Sequence, residues 1–327
     1  MFISTIIPTI GRPSLSRAVE SILEQEFAVD SFEVIVVNDS GERLPEADWQ
    51  HSERVRVIST NRRNRSVARN AGAAIARGRY LHFLDDDDWM LPGAFESFWE
   101  LTNSSQAAWL YGAFRLVDNS GKTITEIYPD EIGNCFIQLI AWEWLPLQAS
   151  IIDSKAFFAV GGFASLYSLL GGFEDIDLSR QIAGYYDMAR TNMVVTCIRA
   201  GDKGSTTNYT DMFRQNRQSR EKALSLPGAF KRMKASACNS LSRSEYWYGK
   251  IAYYYLASIR WHLQQKRLFT AFSRSVYALA GFTMAGKYLL ATDFWLGVLR
   301  PHYTRMGVAL QESGADHLYA NSRSGQK

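Results

Sequence analysis

Apolar and polar positions follow two rhythms along the first 90 residues. Short apolar runs, Phe2 to Ile7 and Phe32 to Val37, read as strands, the second, nearly all apolar and β-branched, as one buried on both faces. Val55 to Ile58 gives a weaker third strand and Tyr80 to Leu84 a fourth. Between them apolar residues recur at helical spacing. Leu15, Ala18, Val19, Ile22 and Leu23 follow Ser14, the expected N-cap, and an alanine-rich stretch from Val67 to Ala76 stops at Gly78. This alternation predicts an α/β fold, a Rossmann-like, mainly parallel sheet flanked by helices on both faces.

Pro92 opens another helix. Trp109 to Val117 and Thr123 to Ile127 then flank a glycine-containing turn as an antiparallel hairpin. Ala149 to Ile152 and Met193 to Ile198 are further strands, with a helix from Asp175 to Ala183 between them. Strand patterning ends near residue 210, and Ser244 to Gln265 and Phe269 to Ala285 read as helices. The expected division is an α/β domain over 1–210 and a helical appendage over 211–327.

Charge supports that division. The net charge of +3 conceals 18 Lys and Arg against 27 Asp and Glu up to residue 210, and 18 against 6 beyond it. The basic part suits an anionic partner or docks on the acidic first part. Cys135, Cys197 and Cys238 are odd in number and lack C-x-x-C spacing, which argues against a disulfide framework and a zinc site. Met1 to Ser4 lacks a basic leader and runs into a strand, so a cytoplasmic chain is expected. The longest apolar stretch, Val276 to Val298, is broken by Lys287 and Asp293 and is not a spanning helix.

In open α/β sheets ligands bind beyond the carboxyl ends of the strands. Three polar loops fall there: Pro8 to Pro13, Asn38-Asp39-Ser40, and Asp85-Asp86-Asp87-Asp88. Four successive aspartates raise one another's pKa and resist burial unless a cation compensates. A divalent ion with oxygen ligands, Mn²⁺ or Mg²⁺, is the economical reading. A solvated acidic loop is the alternative, opposed by Trp89 and the apolar strand flanking the run. The first loop holds a single glycine, so neither a dinucleotide fingerprint nor a P-loop is present. Asp39 is placed to accept from a nucleobase or ribose, or to cap its own turn.

Taken in series, Ile7-Pro8-Thr9, Val36-Val37-Asn38-Asp39-Ser40, Ser66 to Gly72, Phe83 to Trp89 with Leu91-Pro92, and Gly172 to Leu178 resemble family 2 glycosyltransferases of the inverting, GT-A type. The resemblance covers roughly residues 1 to 210. It implies that Pro8, Thr9, Arg12 and Asp39 surround a nucleotide, with Arg69 holding the nucleotide or orienting the Asp39 loop. It further implies that Asp85, Asp86 and Asp87 contain the metal-binding D-x-D, with Asp85 and Asp87 on the metal and Asp85 and Asp86 at the nucleotide. Asp175 would be the catalytic base. On a helix Asp175 falls among Ile176, Leu178, Ile182 and Ala183, while Asp177 projects to the opposite side. Favourable charge at a helix N-terminus accounts for Glu174 and Asp175 equally well. Trp89, Glu174, Lys203 and Ser205 are expected on the acceptor or diphosphate side, the segment Arg199 to Thr207 closing over the diphosphate.

The activity implied is transfer of a sugar from a nucleoside-diphosphate donor, a UDP-sugar foremost, to a saccharide or lipid-linked acceptor hydroxyl in polysaccharide, lipopolysaccharide or other glycoconjugate synthesis. A degenerate nucleotide-sugar-binding scaffold and a nucleotidyltransferase are the rivals. Tyr246, Trp247, Tyr248, Tyr253, Tyr254, Tyr255 and Trp261 with Lys250 and Arg260 suit either packing on the catalytic domain or contact with the inner, anionic face of the cell membrane, packing being preferred. The same appendage could serve a homodimer. No nucleic-acid-binding motif accompanies the charge, so nucleic acid is not an expected partner.

Overall fold

The computed structural model describes residues 1–27, 32–141, 145–165, 172–200, 209–239 and 244–299, with side chains from 214 onward in the helix that begins at Tyr209. Its strands are β1 (Ile3–Thr9), β2 (Phe32–Asn38), β3 (Val55–Ser59), β4 (Tyr80–Phe83), β5 (Trp89–Met90), β6 (Trp109–Val117), β7 (Thr123–Ile127), β8 (Ser150–Asp153) and β9 (Met188–Arg199). They form one sheet in the order β3-β2-β1-β4-β8-β6-β9-β5, with β7 added to β6. The first four are parallel; β8 enters antiparallel to β4 and β6 antiparallel to β8, and β9 runs parallel to β6.

The largely apolar runs have a direct cause. Along β2, Val34 and Val36 enter the core on one face while Ile35 and Val37 enter the core on the other. The first face is covered by α1 (Leu15–Leu23) and α3 (Ala94–Ser104), the second by α2 (Arg65–Ile75). A Cβ at Gly72 would lie 2.5 Å from Ile6 Cγ2, so glycine lets α2 press directly on β1. Ser14 is itself helical and makes no capping bond, whereas Asn64 caps α2 by accepting from the N–H groups of Ser66 and Val67. Pro8 lies in a central strand, where its missing N–H would ordinarily break a ladder. Here β4 pairs β1 only as far as Ile6, so Pro8 faces β2 alone.

The remaining helices are α4 (Phe136–Ile140), α5 (Ser154–Ala159), α6 (Glu174–Ala183), α7 (Tyr209–Leu224), α8 (Ala229–Asn239), α9 (Ser244–Gln264), α10 (Leu268–Met284) and α11 (Thr292–Leu299). Tyr246, Trp247, Tyr248, Tyr254 and Tyr255 of α9 are buried in the same core as residues of α4 and α6. Each contributes about 2 kcal/mol on burial, which fastens the helices by packing and removes these rings from any outer surface. No described helix is long and apolar enough to cross a membrane.

Candidate active site

Parallel pairing sets Thr9 beside Asn38 and Ile6 beside Phe83, so the loops after β1, β2 and β4 leave the sheet at one edge. The chain order reverses between β1 and β4, where an open α/β sheet leaves a crevice. A cleft of about 570 Å³ lies there, lined by Pro8, Thr9 and Arg12 from the first loop, Asp39, Ser40 and Glu42 from the second, Arg63 and Arg65 after β3, and Asp85 and Asp86 after β4. The sequence-expected nucleotide residues Pro8, Thr9, Arg12, Asp39, Asp85 and Asp86 thus meet in one place.

At one side Asp39 is buried and holds a loop. Its Oδ1 accepts from Thr60 Oγ1 (2.7 Å) and the Arg62 N–H (2.6 Å), and its Oδ2 accepts from the Asn64 N–H (2.5 Å). With two acceptor positions per oxygen, Oδ2 retains one for a further donor. At the opposite side the aspartates are individually tethered. Asp86 accepts from Thr9 Oγ1 (2.6 Å) and from Arg12 (2.8 Å), which also reaches Asp87 at 3.1 Å. Asp85 accepts from Arg69 (2.6 Å) and from Gln148 Nε2 (2.8 Å). Asp88 turns away and accepts the Arg199 N–H, tying the end of β9 to the loop.

Burial and mutual repulsion set the protonation of this run. Burial works against ionisation of Asp85, but the charge and hydrogen bond of Arg69, with Arg65 and Gln148, outweigh it and hold its carboxyl below the usual range. Burial pushes Asp86 up despite Thr9 and Arg12. Burial and then the charge of Asp85 push Asp87 up, and the same two causes carry Asp88 well up. Asp85 is therefore the firmly ionised member, and Asp87, a third exposed at its side chain, shares Arg12 with Asp86. Among the described residues no three His, Cys, Asp or Glu side chains converge as a complete metal cluster. Oxygen donors of one or two aspartates beside a diphosphate are the set that suits a hard divalent ion.

Arg69, buried, is the hinge of the site. One of its terminal nitrogens donates to Asp85 and the other to Glu174 Oε1 at 3.0 Å, and Arg65 Nε donates to the same oxygen at 2.6 Å. Arg69 thus joins the aspartate loop to the first turn of α6. Gly172, with φ of +80°, leaves room for the Arg65 guanidinium, which a Cβ there would strike. Asp175 follows Glu174, half-buried, with its carboxyl raised by burial and by Glu174 against the pull of the Ile176 N–H, Arg69 and Arg65. A carboxyl of raised pKa is the more effective proton acceptor once ionised.

Three expectations need adjustment. Asp177, placed outward by helical geometry, is 1% exposed and pairs with Lys222 of α7 at 3.1 Å, because α6 is covered on two sides. Trp89 is buried beneath Arg17, 3.2 Å from its guanidinium carbon, and does not line the cleft. Glu174 is buried and engaged by arginines. Lys203 and Ser205 lie outside the described residues. Arg63, Arg65, Glu42 and Gln148 were not anticipated, although the basic run Arg62-Arg63-Asn64-Arg65 follows a strand end as the other site loops do.

Residues 4–166, about half of the chain, match the family described as Glycosyl transferase family 2. The chain belongs to that family. The relatives it resembles include the poly(ribitol-phosphate) beta-N-acetylglucosaminyltransferase TarP of Staphylococcus aureus, 26% identical over 164 residues, 48% of this chain and 46% of the relative. Another is an uncharacterized glycosyltransferase of Haemophilus influenzae, 29% identical over 181 residues, 54% of this chain and 60% of the relative. The chain spans about half the length of the curated relatives it matches. Among solved structures, S. aureus TarS 1–349 in complex with UDP-GlcNAc superposes with a TM-score of 0.60 at 13% identity, covering 88% of this chain and 91% of that one. The family 2 chain therefore has the GT-A fold, with its helices after residue 210 as a C-terminal extension.

Proposed function

We propose that the protein transfers a sugar, with inversion, from a nucleoside-diphosphate donor to an acceptor hydroxyl in glycoconjugate synthesis. The observation that carries this reading is the cleft itself, where Asp39 faces Asp85 and Asp86 across a floor of Thr9 and Arg12, with Arg63 and Arg65 beside it. The free acceptor position on Asp39 Oδ2 suits an N–H of the base, and Arg12, Arg63 and Arg65 suit the diphosphate charge. A UDP-sugar is the first donor to test, since TarS was solved with UDP-GlcNAc and TarP is named for transfer of N-acetylglucosamine.

Asp85 and Asp87 would hold Mn²⁺ or Mg²⁺ together with diphosphate oxygens, and the ion would offset negative charge on the departing nucleotide. Asp85 is kept ionised by Arg69 for this purpose. Asp175 accepts the acceptor's hydroxyl proton, and the charges of Arg69 and Arg65 favour its ionised form. Glu174 fixes both arginines, so base and aspartate loop keep their separation.

The test is hydrolysis of UDP-, GDP- and dTDP-sugars, each with Mn²⁺, Mg²⁺ or EDTA, which needs no acceptor. Release of one nucleoside diphosphate, abolished by EDTA, is expected. Binding of no donor under any condition would replace the proposal with a scaffold lacking turnover.

A further inference from the structure

With Tyr246, Trp247, Tyr248, Tyr254 and Tyr255 of α9 buried, a different surface of the appendage stands out. On α10, Leu268, Phe269, Phe272, Val276 and Leu279 are 52 to 86% exposed. At helical spacing they occupy an arc of about 100° and a length of about 15 Å, so they form one continuous apolar stripe. Five large apolar side chains in one exposed stripe mark an interaction surface rather than scattered exposure.

Charge identifies the partner. Between residues 246 and 299 the chain carries Lys250, Arg260, Lys266, Arg267, Arg274 and Lys287 against one acid, Asp293. Lys250 and Arg274 are buried, and the other four cations are exposed. Lys266 and Arg267 form the turn between α9 and α10, directly before Leu268 and Phe269 and after the exposed Leu263. Arg267 also lies 5.6 Å from the ring of Trp261. A second copy docked symmetrically would set these cations against their own equivalents. An apolar stripe edged by Lys and Arg is what a bilayer of anionic lipid receives, with side chains at acyl depth and cations at the headgroups.

We infer that the outer face of α10 and the α9–α10 turn dock on an anionic lipid bilayer as a peripheral, non-spanning contact. The full chain is centrifuged with sucrose-loaded vesicles of phosphatidylcholine alone or mixed with phosphatidylglycerol, and its sedimentation coefficient is measured without lipid. Retention on the mixed vesicles at low salt is expected. Phe269→Ser with Phe272→Ser should abolish it, and Lys266→Gln with Arg267→Gln should weaken it roughly thirtyfold. All four side chains lie on the surface, so thermal unfolding of the variants should match the parent. Equal retention on pure phosphatidylcholine, retention on neither vesicle, or a dimer that the serine substitutions dissociate without any vesicle binding would each overturn the inference.

Discussion

Two buried clusters of acids and arginines can be compared. In one, Arg69 and Arg65 join Asp85 and Glu174 beside the cleft. In the other, Glu221 of α7 accepts from Ser258 Oγ (2.7 Å) and pairs with His262 of α9 (3.2 Å), with Arg274 of α10 at 3.9 Å. Arg274 also donates to the Leu224 carbonyl and to Ser225. The second cluster is closed, the side chains of Glu221, His262 and Arg274 no more than 8% exposed, whereas Asp85 and Arg65 are 28% and 33% exposed. Buried charge therefore does not by itself mark a site. In the helices it fastens α9 and α10 to α7; at the strand ends it leaves carboxylate and guanidinium groups facing a cavity that a ligand can fill.

The largest effect expected from this contrast is on turnover. Asp175→Asn should lower the transfer rate about a thousandfold while donor binding and melting temperature stay unchanged, measured by steady-state assay and calorimetry. A variant that transfers at the parent's rate would remove Asp175 from the chemistry. Next come the clusters themselves. Arg69→Ala leaves Glu174 and Asp85 without their shared partner and should cost about 3 kcal/mol in urea unfolding as well as turnover. Glu221→Gln should cost about 2 kcal/mol and leave donor hydrolysis intact. Equal losses of hydrolysis in both would erase the distinction.

The smallest effect is a pH dependence. His82, buried, has Nε2 at 3.0 Å from the Gln148 carbonyl, which can only accept, so Nε2 carries the proton and Nδ1 accepts from Thr5. Burial lowers its pKa from 6.5 to about 4, against the pull of that carbonyl. Between these values the unfolded chain binds the proton and the folded chain does not. Stability should thus be full above pH 6.5 and fall by about 2 kcal/mol from pH 7 to pH 5 through this group. In His82→Gln that increment should vanish from the slope of unfolding free energy against pH.

The parallel half was legible because β1, β2 and β4 are buried on both faces, and nearly all-apolar runs such as Phe-Glu-Val-Ile-Val-Val admit little else; β3, half-exposed, gave the weaker signal. The site loops were legible by the same route, since strand ends fix where chemistry collects. Gln148 gave no signal; it reaches Asp85 only because β8 pairs antiparallel with β4. Asp177 misled because the reading assumed one buried face, whereas α6 also buries Arg180, which donates to carbonyls of α4 and α7. Short elements such as α4 and β5 carry too few residues for a period to show.

The grip of Asp39 on Thr60, Arg62 and Asn64 has a consequence for heat and order. Asn61 and Arg63, inside that loop, hold positive φ angles of 53° and 49°, conformations that a free chain seldom samples. Fixing a backbone residue costs about 1 to 2 kcal/mol in lost freedom, and here folding has already met that cost. A ligand arriving at this end of the cleft finds its wall assembled, so more of its contact enthalpy is left over as affinity.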